Sequence, residues 1–337
     1  MTIGWGVIGV GTHVKRFMAP ALTRAGDTKF VAICSRSMER ARSFAAECGV
    51  KRAYDSLTKM LEDPEVEVVY IATPNNLHAS HTIQAAKAGK HVLCEKPMAL
   101  TVSDCERMIQ VCEQNKVKLG INFQNRYHPA HIEARRYVQS GEIGKIYVAK
   151  AQYCHGSLEG RWHGWGNDPD MTGTGALGGT GLHPIDLLRF LLNSEVERVQ
   201  ALLTTKTPYH KVDEMIYVIL EFENGVDAVV ISGILAPRSD NDAVVYGSRA
   251  KITCKGTIGT VLKGELLVEG EAINLKRTFP TDPVALYVGV IEAFNKCIKE
   301  QVEPEAGISG YNGLQMARIT NAIIQSSCQG KAIKIEK

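Results

Sequence analysis

A chain of 337 residues with 45% hydrophobic and 22% charged residues has the composition of an ordinary globular protein, with room for two domains that each bury a core. The net charge of +3 is small for this length and argues against a nucleic-acid binder, which would concentrate a basic stripe. No apolar run approaches the roughly 20 residues that span a bilayer, and Met1-Thr2-Ile3-Gly4-Trp5 lacks the regions of a signal peptide. A cytoplasmic protein with no membrane partner is therefore expected. The nine cysteines are scattered without a C-x-x-C pair, so buried free thiols in a reducing compartment are expected, and no metal site.

Strand and helix patterns alternate over residues 1–122. The apolar run 3–8 predicts a strand, followed by a glycine-rich turn and a helix over 12–25 that Pro20 should kink. Residues 29–34 predict the second strand; 38–48 predict a helix with Ser37 placed to cap it and Gly49 to end it. Strands are predicted over 67–72, 91–95 and 117–123, and helices over 76–88, closed by Gly89, and 101–115, where Thr101 and Asp104 form a weak capping box. This repeat implies a doubly wound, mostly parallel sheet whose strand-end loops converge on one crevice, Thr73, Lys96 and Gln124 among them.

The pattern changes after Phe123. Residues 128–139 predict a helix, 145–153 a long strand, 156–178 a long loop rich in Gly, Trp, Asp and Thr, and 180–192 a helix. Strands separated by turn signals such as Glu223-Asn224-Gly225 fill 196–273, and helices follow over 284–299 and 310–329. A second, α+β domain with a predominantly antiparallel sheet is expected over 123–337, after a dinucleotide-binding domain over 1–122.

Gly9-x-Gly11 places two glycines where a tight turn forms and the main chain must approach a pyrophosphate, with a helix N-terminus behind it. Val14 stands where the fingerprint has its third glycine and should hold the helix slightly off the strand. An ordinary strand-to-helix turn is the alternative, but the position after the first strand favours a dinucleotide. The second strand ends Ile33-Cys34-Ser35-Arg36-Ser37, without the acid that accepts from the adenosine ribose. A guanidinium at Arg36, with Arg40 one turn on, suits a 2′-phosphate. NADP is thus favoured; a solvated Arg36 is the bland alternative.

Glu95-Lys96-Pro97 ends a strand, and Pro97 constrains where the Lys96 amine points. Burial and a positive nicotinamide would both lower that amine's pKa, making it a proton shuttle near neutrality. Glu95 is placed to hold a ribose hydroxyl. His183 opens a helical pattern with Asp186 three residues on, a spacing that would let Asp186 orient the imidazole. Tyr153 and His155 share a strand face by alternation. Trp162, His163, Trp165, Asn167 and Asp168 lie on the long loop, where they suit a carbohydrate or simply pack the loop.

Ala72-Thr73-Pro74-Asn75-Asn76-Leu77-His78, Ala88 to Pro97, and Leu187-Leu188-Arg189-Phe190-Leu191 together resemble the glucose–fructose oxidoreductase, inositol dehydrogenase and rhizopine-catabolism family of sugar and cyclitol dehydrogenases. The resemblance covers most of the chain. It implies a Rossmann domain, an NADP- or NAD-dependent oxidoreductase acting on a secondary alcohol or ketone of a sugar, sugar derivative or cyclitol, and a homo-dimer or homo-tetramer built on the open sheet face of the second domain. It makes Lys96 and His183 the expected catalytic pair. The expected cofactor-binding residues are Gly9, Gly11, Thr12, His13, Val14, Ser35, Arg36, Arg40, Thr73, Asn75, His78, Glu95, Lys96 and Arg126; the expected substrate-binding residues are Tyr153, His155, Trp162, Asp168, Thr180 and His183. One departure stands out: the family carries Asp four residues before the active-site histidine, and this chain has Gly179. The lost carboxylate would leave room for a bulkier substrate such as a glycoside, unless Asp168 or Asp170 replaces it. Two other readings keep the fold: redox-assisted cleavage of a sugar bond with tightly held cofactor, and a non-catalytic dinucleotide or sugar sensor.

Overall fold

The computed structural model describes residues 2–156, 164–259, 263–280, 282–303 and 307–336. The chain divides into two compact units, Met1–Gln124 with Pro283–Ala317, and Asn125–Asp282 with Arg318–Lys337.

In the first unit, β1 (Ile3–Ile8), β2 (Thr28–Cys34), β3 (Arg52–Tyr54), β4 (Val68–Ile71), β5 (His91–Cys94) and β6 (Leu119–Ile121) form one parallel sheet in the order β3-β2-β1-β4-β5-β6. Every residue of β1 and β4 is buried, as expected for parallel strands covered on both faces. The strand ends are in register: Cys34 pairs with Ile8, Ile8 with Ile71, Ile71 with Cys94, and Cys94 with Ile121. The loops that follow these strands therefore leave one edge of the sheet together, with the order reversing between β1 and β4, where open α/β sheets bind ligands.

Residues 283–317, grouped by sequence with the second domain, belong to this unit. The helix Pro283–Glu300 buries Leu286, Tyr287, Val290, Ile291, Phe294, Asn295 and Cys297, a three-four repeat that makes one apolar face. Phe294 meets the edge of Trp5 at 6.0 Å between ring centroids, and the Trp5 Nε1–H donates to Asn295 Oδ1 at 3.1 Å. A Cβ at Gly120 would come within 2.8 Å of Phe294, so glycine on β6 is what lets this helix approach. β3 escaped the sequence reading because it is three half-buried residues at the sheet edge, too short to alternate. Its Arg52 pairs with Asp63 at 2.7 Å.

The predicted helix over 12–25 contains a π turn at Val14–Met18 before the α-helix Ala19–Arg24, with Pro20 in its first turn. Proline lacks an N–H and its ring crowds the preceding turn; the wider π turn accommodates both. Other predicted ends hold at the residue level. Ser37 Oγ accepts from Arg40 N at 3.3 Å, Thr101 Oγ1 accepts from Asp104 N at 3.1 Å, and Gly49 and Gly89 have φ of +69° and +73°.

The second unit holds a sheet of nine strands, β7 (Ile146–Cys154), β8 (Val196–Thr204), β9 (Met215–Phe222), β10 (Asp227–Gly233), β11 (Ala243–Gly247), β12 (Ala250–Lys255), β13 (Lys263–Gly270), β14 (Asn274–Pro280) and β15 (Ile333–Lys334), in the order β14-β13-β12-β11-β7-β10-β9-β8-β15. Only β7 and β10 run parallel; the other neighbours are antiparallel. The helices Pro129–Gln139 and Leu182–Leu192 pack against each other, and the second lies on β7. β14 and β15 were not legible in the sequence, being a mostly exposed strand and a two-residue edge strand.

Candidate active site

The loop after β1 contains Gly9 at φ +106°, where a Cβ would sit 2.3 Å from the Ala72 carbonyl oxygen. Only glycine lets this turn lie on the β4 loop. At Gly11 a Cβ would meet no atom within 4 Å, and Gly11 and Thr12 are exposed. The cradle fits a pyrophosphate approaching the main chain. Val14, in place of a third glycine, is buried and opens the π turn, so its bulk is met by a wider turn.

Ser35 is buried at the end of β2, while Arg36 and Arg40 are exposed. Neither guanidinium has a carboxylate partner among the described residues, so both are available to an anion on this edge. Asn75 is buried where a short 3-10 turn leads into the helix His78–Lys87. The Thr73 hydroxyl contacts His81 Nδ1 at 3.2 Å.

Glu95 follows β5 and is the centre of a polar network. Its Oε1 accepts from Asn122 Nδ2 at 2.6 Å and from the buried Tyr70 hydroxyl, and lies 3.1 Å from His13 Nε2. Its Oε2 accepts from the Lys96 amide at 3.3 Å. Burial pushes the Glu95 carboxyl up, but the charge and hydrogen bond of His13, with the Tyr70 and Asn122 donors, outweigh it and bring the carboxyl to about 2. Glu95 is thus an anion held by protein donors, where the sequence suggested a ribose partner. His13 is itself boxed by Phe17 and Tyr287, each at 5.4 Å between centroids. Tyr70, Asn122 and Tyr287 carried no signal in the sequence, since their roles depend on residues far away in the chain. Lys96 is joined to Pro97 by a cis peptide bond.

In the second unit, His183 is the one residue of the helix Leu182–Leu192 that is not buried. Its ring meets the Tyr153 ring edge-on at 5.5 Å, and Tyr153 meets His155 at 4.7 Å. Alternation along β7 thus does bring Tyr153 and His155 to one face, beside His183. The Tyr153 ring rests on Gly259, where a Cβ would come within 2.5 Å of it.

The structure gives several of these residues protein partners that the sequence did not announce. Asp186 does not orient His183: its carboxylate accepts from Arg126 Nε at 2.9 Å and Nη2 at 2.6 Å, with Arg189 Nη1 at 3.4 Å. Arg126, expected on the cofactor, is buried on that carboxylate and over the Phe190 ring. Thr180 is fully buried and donates to the Ala176 carbonyl at 2.9 Å. Asp168 caps the short turn Pro169–Thr172, accepting from Asp170 N at 3.1 Å. Asn167 donates to the Tyr209 carbonyl and accepts from Lys211 N. Trp162 and His163 lie outside the described residues. Asp213, which the sequence did not single out, accepts from Gly175 N and Leu177 N, both at 2.7 Å, and so anchors the start of the segment that leads to Gly179 and His183. Burial pushes its carboxyl up, against those backbone donors.

A doubly wound sheet with a glycine cradle at its switch point, and a lysine on a neighbouring strand end, defines an NAD(P)-dependent oxidoreductase. Residues 3–123 match the model of the oxidoreductase family with NAD-binding Rossmann fold, and residues 131–253 match the GFO/IDH/MocA C-terminal domain. The chain belongs to this family. It is 29% identical to a 1,5-anhydro-D-fructose reductase of Ensifer adhaerens, over 98% of each chain. It is 32% identical to an uncharacterized oxidoreductase of Rhizobium meliloti, over 88% of this chain and 89% of that one. The crystal structure of aldose-aldose oxidoreductase from Caulobacter crescentus, complexed with glycerol, superposes with a TM-score of 0.92 at 26% identity, covering 99% of this chain and all of that one.

Proposed function

We propose that this enzyme transfers a hydride between NADP and a secondary alcohol or ketone carbon of a sugar, sugar derivative or cyclitol. The observation that carries the cofactor half is the shared register of strand ends, which brings Gly9–Gly11, Arg36, Thr73 and Glu95-Lys96-Pro97 to one sheet edge. The polyol half is supported by the activities for which two relatives are named, an anhydrofructose reductase and an aldose-aldose oxidoreductase. The nicotinamide, when bound, supplies the hydride acceptor or donor. In this reading the first unit, Met1–Gln124 with Pro283–Ala317, holds the dinucleotide, and the second holds the substrate and assembles the oligomer.

In this reading each residue has a role that its surroundings support. Gly9 and Gly11 give the main chain close approach to phosphate, and Arg36 and Arg40 give a 2′-phosphate two cations. Lys96 moves the proton of the substrate hydroxyl, its main chain tied to the Glu95 anion. His183, the half-buried polar residue on an otherwise buried helix, hydrogen-bonds the reacting oxygen beside Tyr153 and His155. Gly179 puts no carboxylate four residues before His183, and in this reading the substitution favours substituted sugars or glycosides.

The test is a panel of monosaccharides, glycosides and cyclitols with NADP and with NAD, read by reduced-cofactor absorbance. Turnover with NADP, faster on substituted sugars, is the expected result. A cofactor retained through gel filtration and never released reduced would favour bond cleavage instead. Sugar binding without turnover would make the protein a sensor.

A further inference from the structure

His78 opens the helix His78–Lys87 and is 1% exposed. Its Nδ1 lies 2.8 Å from the Pro97 carbonyl oxygen, and its Nε2 lies 2.9 Å from the Thr73 carbonyl oxygen. Thr73 is in the loop after β4, and Pro97 is in the loop after β5, the neighbouring strand. One imidazole therefore spans two adjacent loops on the cofactor edge, and one of its contacts is the residue directly after Lys96.

Both ring nitrogens face acceptors. A neutral imidazole has one N–H and satisfies one carbonyl at a time, whereas the cation satisfies both at the cost of burying charge. Burial lowers the His78 pKa; the two carbonyls and the nearby Glu95 pull it back up, and Lys96 lowers it. His81, the remaining titratable neighbour on this helix, is pushed down to about 4 by burial and by His78. Either protonation state keeps at least one N–H in a carbonyl contact, so the ring tethers a loop in both.

We infer that His78 is a positioning residue for Lys96: a buried ring set between the Thr73 and Pro97 carbonyls, tethering one of them when neutral and both when charged, and so restricting the main chain from which the lysine projects. The inference rests on the assignment of Lys96 as the proton-transferring residue. Burial and two backbone contacts set the His78 ring against the main chain of these two loops.

Two variants and one spectroscopic measurement test it. His78→Phe keeps a flat ring and removes both contacts; His78→Gln keeps an amide N–H that can reach one carbonyl. His78→Phe should lower kcat by on the order of 10- to 100-fold, the scale of a misplaced catalytic group, and shift the limb of the kcat–pH profile that Lys96 sets. Dinucleotide affinity, read by fluorescence titration, should change far less, and His78→Gln should recover part of kcat. A purely structural role would reduce the fraction of molecules that bind dinucleotide and leave the pH profile of the remainder in place. That outcome, or an unchanged kcat in His78→Phe, overturns the inference. Without turnover, 15N NMR of the histidine rings in the cofactor-free protein should show a slowly exchanging His78 N–H; fast exchange overturns it as well. Near-wild-type turnover in Lys96→Met would instead overturn the reading beneath it.

Discussion

At the scale of single residues, two side chains separate the chemistry from the choice of cofactor. Lys96 leaves β5 next to an anion that the protein has already stabilised. Lys96→Met keeps the length and apolar stem of the side chain and removes only the proton-carrying group. Fold and dinucleotide affinity should survive, while hydride transfer falls by roughly 100-fold or more, the usual contribution of a positioned acid or base. Single-turnover absorbance checks this, and near-wild-type turnover removes Lys96 from the mechanism. Arg36 stands where NAD-specific sheets have an acid, and it is exposed without a carboxylate partner among the described residues. Arg36→Ala should weaken NADP binding by about 1.5–3 kcal/mol, the scale of hydrogen bonds to a charged group, and barely touch NAD. Calorimetric titration with each dinucleotide decides the matter; equal weakening of both refutes the 2′-phosphate role.

At the scale of elements, the strand-end loops are held by long-range polar contacts that their own sequences do not announce. His13, Tyr70 and Asn122 come from three different segments and meet on Glu95. The Glu95 carboxyl falls from its ordinary 4.5 to about 2 in the folded protein. A depressed carboxyl stabilises the fold fully above its unfolded value, and that contribution fades as the pH drops through the folded value. The wild type should therefore melt above Glu95→Gln near neutral pH, and the gap should narrow as pH falls from about 5 toward 3, where the ordinary carboxyl starts to bind its proton. Melting temperatures of both proteins across that window test the network; a gap that stays constant shows that the ionised Glu95 contributes nothing. The same non-locality explains where the sequence misled. The i, i+3 spacing of His183 and Asp186 suggested a pair, yet Asp186 bonds Arg126, sixty residues away. Spacing along a helix reveals which residues share a face, but not which distant cation claims a buried carboxylate.

At the scale of the whole molecule, the two architectures were legible because each has its own hydrophobic period. Runs such as Ile3–Ile8 and Val68–Ile71 are apolar throughout, as doubly covered parallel strands must be. In the second unit β9 and β10 alternate, and the alternation raises a further point. Ala228 and Val230 of β10 and Val218 and Leu220 of β9 are buried. The residues that alternate with them should face water and be polar, but they include Val229 and Ile231 on β10 and Tyr217 and Ile219 on β9. Val229 pairs with Ile219, and Tyr217 pairs with Leu202 on β8. Leu202, Ile219 and Val229 are 53%, 48% and 44% exposed. A contiguous apolar stripe on a solvent face marks an association surface, and here Lys150 and the Arg198–Glu221 pair lie at its border. We propose that this sheet face joins copies of the chain into the dimer or tetramer expected from the family resemblance. Ile219→Glu would set a charge in the middle of the stripe without touching the buried face of β9. Sedimentation velocity should show the wild type as an oligomer and Ile219→Glu as a monomer with an unchanged circular dichroism spectrum. A wild type that sediments as a monomer, or an Ile219→Glu variant that stays assembled, rules out this face as the interface.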